Sequence, residues 1–124
     1  MEDIKNRADL EKLFTNFYEL ALNDELIGHF FTEVIPLDLE AHLPHIINFW
    51  EANLWGKKGY KKNVLKVHTD IHQKSKMKIE HFDRWLKLLN QCIDENYKGS
   101  ISEKLKTNAL SIATVMKSKI IWVS

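Results

Sequence analysis

The chain is poor in the residues that interrupt or staple a fold: one cysteine, four glycines and two prolines in 124 positions. With Cys92 alone, no intrachain disulfide can form and no thiolate metal cluster can be built. Its neighbours Leu88, Leu89 and Ile93 predict a core thiol rather than a nucleophile. Long apolar runs are missing too, and no stretch approaches the ~20 residues that a membrane-crossing helix needs. The acidic start Met1-Glu2-Asp3 predicts no secretory signal, and a cytoplasmic protein is the expectation. Excess charge of either sign is absent: 18 basic and 17 acidic residues leave a net charge of +1. That balance argues against a nucleic-acid or polyanion partner. Lysines gather at 57–66 and 74–78, but apolar residues interleave them and a solvated face is the reading.

What is present is ordinary for a water-soluble globule, with 44% hydrophobic and 28% charged residues. The length suits one domain over residues 1–124 with a real core, expected as a monomer. Strand-like alternation is scarce, so the fold class expected is all-α. Asp9 is a plausible cap for a first helix, with Leu10, Leu13, Phe14, Phe17 and Leu20 as its apolar side and an end near Asn23–Asp24. A short helical turn, Glu25 to Phe31, follows, and Val34 to Asp38 with Pro36 reads as a loop. The next helix runs from about Ala41 to Gly56, a residue suited to the left-handed conformation that ends many helices. Proline is comfortable only in a helix's first turn and disturbs the residue before it. Pro44 therefore predicts that the regular helix begins at about Leu43 or Pro44, with His42 on an irregular lead-in. After a lysine-rich connection at Gly59 and Tyr60, a modest helix is expected around Val64–Ile71. A long helix over Ile79–Tyr97 carries Phe82, Trp85, Leu86, Leu89 and Ile93 on one stripe. Lys98-Gly99-Ser100 is a break, and Ser102 can cap a last helix whose apolar face is Leu105, Ala109, Ile112, Ala113, Met116 and Ile120.

On these helices stand two histidines, His42 and His68, accompanied by Tyr18 and Trp85. The four suit haem chemistry. Haem iron needs one strong axial ligand, and a neutral imidazole on a helix supplies it. The porphyrin is a large flat hydrophobe, and His68 has apolar neighbours to meet it in Val64, Val67 and Ile71. On the opposite wall Ile46 and Phe49 follow His42 by four and seven residues, about 6 and 10 Å along one helix face. Phe31 can add an aromatic contact, and Met116 an apolar one from the last helix. Dioxygen on ferrous iron carries partial negative charge, which a preorganised donor stabilises. Tyr O–H, His N–H and Trp N–H are such donors and need a partner when buried.

The succession Phe17-Tyr18-Glu19, Leu26-Ile27-Gly28 and Phe31, His42 with Asn48-Phe49-Trp50, Tyr60, Leu65-Lys66-Val67-His68 and Trp85-Leu86-Lys87-Leu88 resembles the group III truncated haemoglobins. The resemblance runs from about Leu10 to Met116. It implies a two-over-two helical sandwich around haem b, with His68 as the proximal iron ligand. It likewise implies that Tyr18 and Trp85 are the distal tyrosine and tryptophan and that His42 stands at the distal histidine position. The Gly-Gly pairs of the other two truncated groups are absent, as in group III generally. His45, Tyr60 and Lys66 are candidates for the haem edge and its propionates. The function expected is reversible binding of dioxygen and other diatomic ligands. Three polar distal groups imply slow release, which suits storage or chemistry better than bulk oxygen transport.

Two other readings use the same residues. A peroxidase-like or nitric-oxide-consuming enzyme would need an external reductase, because no flavin or NAD segment supplies electrons. A non-haem metal bundle would use His42 with His45 and His68 with His72, but carboxylate-bridged iron bundles want Glu-x-x-His motifs, which are missing. His29, His72 and His81 are given no ligand role.

Overall fold

A computed structural model describes the backbone of residues 1–30, 39–56 and 78–123, and the side chains of the same stretches except 39 and 119–123. Four long helices appear in these residues: α1 (Arg7–Leu22), α2 (Leu39–Trp55), α3 (Ile79–Asn96) and α4 (Ser100–Val123). No strand occurs among the described residues. α1 packs on both α2 and α3, α3 packs on α4, and α4 touches α2 more lightly. The expected helix around Val64–Ile71 and the loop Val34 to Asp38 lie outside the described residues.

α1 begins one turn earlier than its apolar periodicity suggests. Asn6, in extended conformation, is the cap: its side-chain oxygen accepts the Asp9 N–H at 3.1 Å. Asp9 is the third helical residue, and its carboxylate reaches back to the Lys5 N–H at 2.8 Å. Asp9 is thus the reciprocal half of a capping arrangement, near the positive end of the helix, and not the cap itself. The buried side is Leu10, Leu13, Phe14, Phe17, Tyr18 and Ala21. Leu20 falls at the edge of that stripe, about 80° from Leu10, and is 39% exposed.

α2 corrects the reading of Pro44. The helix is regular from Leu39, so His42 lies within it and Pro44 is an interior residue. A proline there forfeits the N–H that would bond the Glu40 carbonyl. Glu40 and Pro44 are both exposed, on a side where water can take that carbonyl. At its other end Gly56 adopts φ 70° and donates to the Ala52 carbonyl at 2.9 Å. Lys104 of α4 donates to the Leu54 carbonyl at 2.9 Å, closing the same terminus.

Ser102 is not the cap of the last helix either, since α4 starts at Ser100. The capping group comes from the other end of the sequence. Asp3 accepts the N–H groups of Ile101 and Ser102, both at 2.9 Å, and the Ser102 hydroxyl at 2.7 Å. Beside it Gly99 has φ 155°, and a Cβ there would fall 2.4 Å from Asp3 Cγ. Glycine is required on both counts. The core runs through Phe14, Phe17, Trp50, Phe82, Leu89, Ile93, Leu105 and Met116, with Cys92 inside it as a buried thiol.

Candidate functional site

The aromatic positions of α1 and α2 form one connected row. Phe14 stacks on Trp50 with ring centroids 6.0 Å apart and meets Phe17 edge-on at 6.2 Å. Phe17 in turn touches Tyr18 at 5.1 Å and Trp85 of α3 at 6.2 Å, both edge-on. Phe17 therefore lies in contact with both tyrosine and tryptophan, and Phe-Tyr as neighbours in sequence puts one ring in the core and the next at its border.

At that border Tyr18 meets His42. The phenol oxygen is 3.0 Å from His42 Nε2, and the rings stand perpendicular with centroids 5.4 Å apart. Tyr18 is 6% exposed and His42 half-buried. His42 makes this contact from within the regular part of α2. From His42 the same face continues through Ile46 and Phe49, each partly buried against the core, as are Leu43 and Trp85. His45 is exposed, and Met116 is buried in the core at 4%. Phe31, Tyr60, Val64, Lys66, Val67 and His68 lie outside the described residues, as does His72. Among the described residues no group of three or more His, Cys, Asp or Glu side chains could hold a metal ion. No helix among them is long and apolar enough to cross a membrane.

Three polar residues around this border had no role in the sequence reading. Asp24, with a side chain 4% exposed, accepts the Leu26 and Ile27 N–H groups at 3.0 and 3.1 Å through one oxygen. Its other oxygen takes Arg84 of α3, with Nε and Nη2 both at 2.8 Å. Burial raises the Asp24 carboxyl, but the Arg84 guanidinium and the two N–H groups outweigh it and hold it below the usual range. His81 is buried at 9%, and its Nδ1 accepts the Lys78 N–H at 2.8 Å at the start of α3. Its ring lies against Phe30, 4.8 Å between centroids, and burial pushes the imidazole below the ordinary histidine value. The signal for Asp24 was legible in principle, as an aspartate two and three residues before donors in a short helical turn. The one for His81 was its place as third residue of α3, where side chains reach back to the cap.

The residues fit a haem-binding wall by their chemistry: a donor pair at the edge of an aromatic core, continued by apolar side chains that are only partly buried. Comparison with known proteins agrees. The family model described as bacterial-like globin matches residues 1–121. The crystal structure of a group III truncated haemoglobin from Campylobacter jejuni superposes with a TM-score of 0.83 at 27% identity, covering 97% of this chain and 95% of that one. No curated protein matches the chain at a significant level. A helical chain matched over nearly its whole length, with its polar pair on the face expected to meet a porphyrin, belongs to the bacterial-like globins and is a haem-binding globin of the truncated fold.

Proposed function

We propose that this globin reversibly binds dioxygen and other diatomic ligands at haem b, with His68 as the iron ligand and Tyr18 as the principal distal donor. The observation that carries the reading is the half-buried contact of Tyr18 with His42 Nε2 at 3.0 Å. The porphyrin would be held by Phe31, Ile46, Phe49, Val64, Val67 and Met116, and its propionates by His45, Tyr60 and Lys66. When bound, haem supplies a ferrous iron with a coordination position open to a small molecule.

What the chain itself adds is the placement of protons. The Tyr18–His42 contact holds one hydrogen, and two arrangements are possible. With Nε2 unprotonated, the tyrosine O–H is spent on His42. With the proton on Nε2, His42 donates to the phenol oxygen, and the tyrosine O–H can be turned toward a ligand. A ligand gathering negative charge favours the second, in which His42 orients Tyr18 and Tyr18 donates. The indole of Trp85 can only donate, so it adds a second hydrogen bond from α3 without competing as an acceptor. The proposal includes one domain over residues 1–124, a monomer, and a cytoplasmic location. Electrons to restore an oxidised iron would come from an external reductase.

An optical spectrum tests the reading. The protein as isolated or loaded with haemin should give an intense Soret band, which shifts on reduction, shifts again on exposure to oxygen, and returns when oxygen is removed. A colourless protein that takes up no haemin would overturn it.

A further inference from the structure

The tyrosine and tryptophan of the proposed distal site stand on different helices, α1 and α3, so something must set one against the other. Phe17, beside Tyr18, packs directly on Trp85 at 6.2 Å, and the connection that begins at Asp24 adds a second, polar link between the two helices. It follows α1 directly, and it is pressed onto the end of that helix. A Cβ on Gly28 would come within 2.7 Å of the Leu22 carbonyl oxygen, so the close approach requires glycine. The turn is closed by the Gly28 N–H on the Asp24 carbonyl at 3.0 Å and by the two N–H groups that Asp24 accepts through its side chain. The turn is thereby an extension of the body that carries Tyr18, six residues before Asp24.

That body grips α3 at two points. Asp24 takes both Nε and Nη2 of Arg84 at 2.8 Å. Phe30 lies edge-on to His81, which itself holds the first turn of α3 through the Lys78 N–H. His81 and Trp85 are four residues apart and share a helix face, and Arg84 immediately precedes Trp85. The grip therefore falls on the turn of α3 that carries the tryptophan, and it governs both the rotation of that turn and its position along the axis. Arg84 suits the task because a guanidinium fork fixes direction, as a lysine ammonium does not.

We propose that Asp24 and Arg84 are positioning residues for the distal site, setting the Trp85 indole against Tyr18. The inference rests on the reading of Trp85 as a distal donor, and the experiment separates the two. Dioxygen dissociation is measured for the holoprotein, Arg84→Leu, Trp85→Phe and the double variant. Arg84→Leu should speed dissociation about fivefold with Trp85 present and by less than about twofold with phenylalanine in its place, the coupling expected of residues acting as a unit. Equal acceleration in both backgrounds would overturn the proposal and leave the distal reading standing. A second measurement does not depend on the ligand rate. The chain has four tryptophans, and the indole N–H resonance of Trp85, assigned with Trp85→Phe, is followed in the carbon monoxide complex. It should move in Asp24→Asn and Arg84→Leu and return only in part in Arg84→Lys, whose ammonium restores the charge and not the fork, while the Trp50 and Trp55 resonances hold still. An unmoved Trp85 resonance would overturn the proposal whatever the rates do. If Trp85→Phe leaves dissociation unchanged, Trp85 is not a distal donor, and a moved resonance in Asp24→Asn still establishes the positioning.

Discussion

The Tyr18 hydroxyl and His42 Nε2 are 3.0 Å apart across the α1–α2 interface, in a helix that continues undisturbed past a proline two residues beyond the histidine. The contact makes the two side chains one unit. Tyr18→Phe should raise the rate of dioxygen dissociation about tenfold, the equivalent of ~1.4 kcal/mol and of one good hydrogen bond. His42→Leu should have the smaller effect, because it removes the group that orients the donor and leaves the donor itself. Stopped-flow dissociation rates give the order. If Tyr18→Phe released oxygen at the wild-type rate, Tyr18 would have no part in holding it.

The iron ligand is tested by retention. His68→Ala should lose haem on gel filtration, seen as the disappearance of the Soret band from the protein peak, whereas His72→Ala should keep it. The opposite pattern would move the axial ligand to His72.

Asp3→Ala should destabilise the fold by ~1–2 kcal/mol, as loss of a helix cap does, read from the urea midpoint. Burial raises the Asp3 carboxyl, but the Ser102 hydroxyl and the N–H groups of Ile101, Ser102 and Ile4 more than offset this and hold it below its ordinary 3.8. Its contribution is therefore complete above pH 3.8 and is lost as the pH falls through the lower folded value. Gly99→Ala should destabilise by a separate route, through its φ of 155° and the collision with Asp3. A Gly99→Ala protein as stable as wild type would show that the Asp3 clasp is not tight.

His81 makes a pH prediction of its own. Its Nδ1 accepts from Lys78 only while it carries no proton. Burial holds the imidazole below 6.5 against the pull of Glu80, with His29 and Lys78 pushing the same way as burial. Folding therefore gains from neutral His81 above pH 6.5 and loses that gain as the pH falls through the folded value. His81→Gln keeps a side-chain acceptor at the same helical position and cannot titrate. Its urea midpoint should stay flatter than wild type on acidification below pH 6.5. Parallel curves would mean that His81 does not contribute.

The all-α class and most of the buried faces were legible because a 3.6-residue period exposes them: Leu10 to Phe17, Phe82 to Ile93 and Leu105 to Met116 read directly from spacing. Of the helix termini, Gly56, the end near Asn23 and the span Ile79–Tyr97 were legible, and the starts of α1 and α4 were not. Asp9 and Ser102 looked like caps because they have cap chemistry just before an apolar run. Asn6 was hidden by a polar first turn, and Asp3 by distance along the chain. Pro44 misled for a related reason. A rule about local backbone cannot register that α2 leaves its sacrificed carbonyl on an exposed side while His42 gains a partner 24 positions away. The grip of Asp24 on Arg84, 60 positions apart, follows from tertiary packing alone.

The Asp3 clasp also has a consequence in time. The Ser102 backbone that Asp3 holds is made 99 positions after Asp3 itself. At ~5–20 residues per second, the carboxylate spends roughly 5–20 s solvated by water before its partner exists. The start of α4 can be sealed only after α1, α2 and α3 have been made, so closure of the segment around Asp3 over α4 follows the synthesis of those three helices. Any change that keeps Glu2 and Asp3 from the α3–α4 junction removes that step.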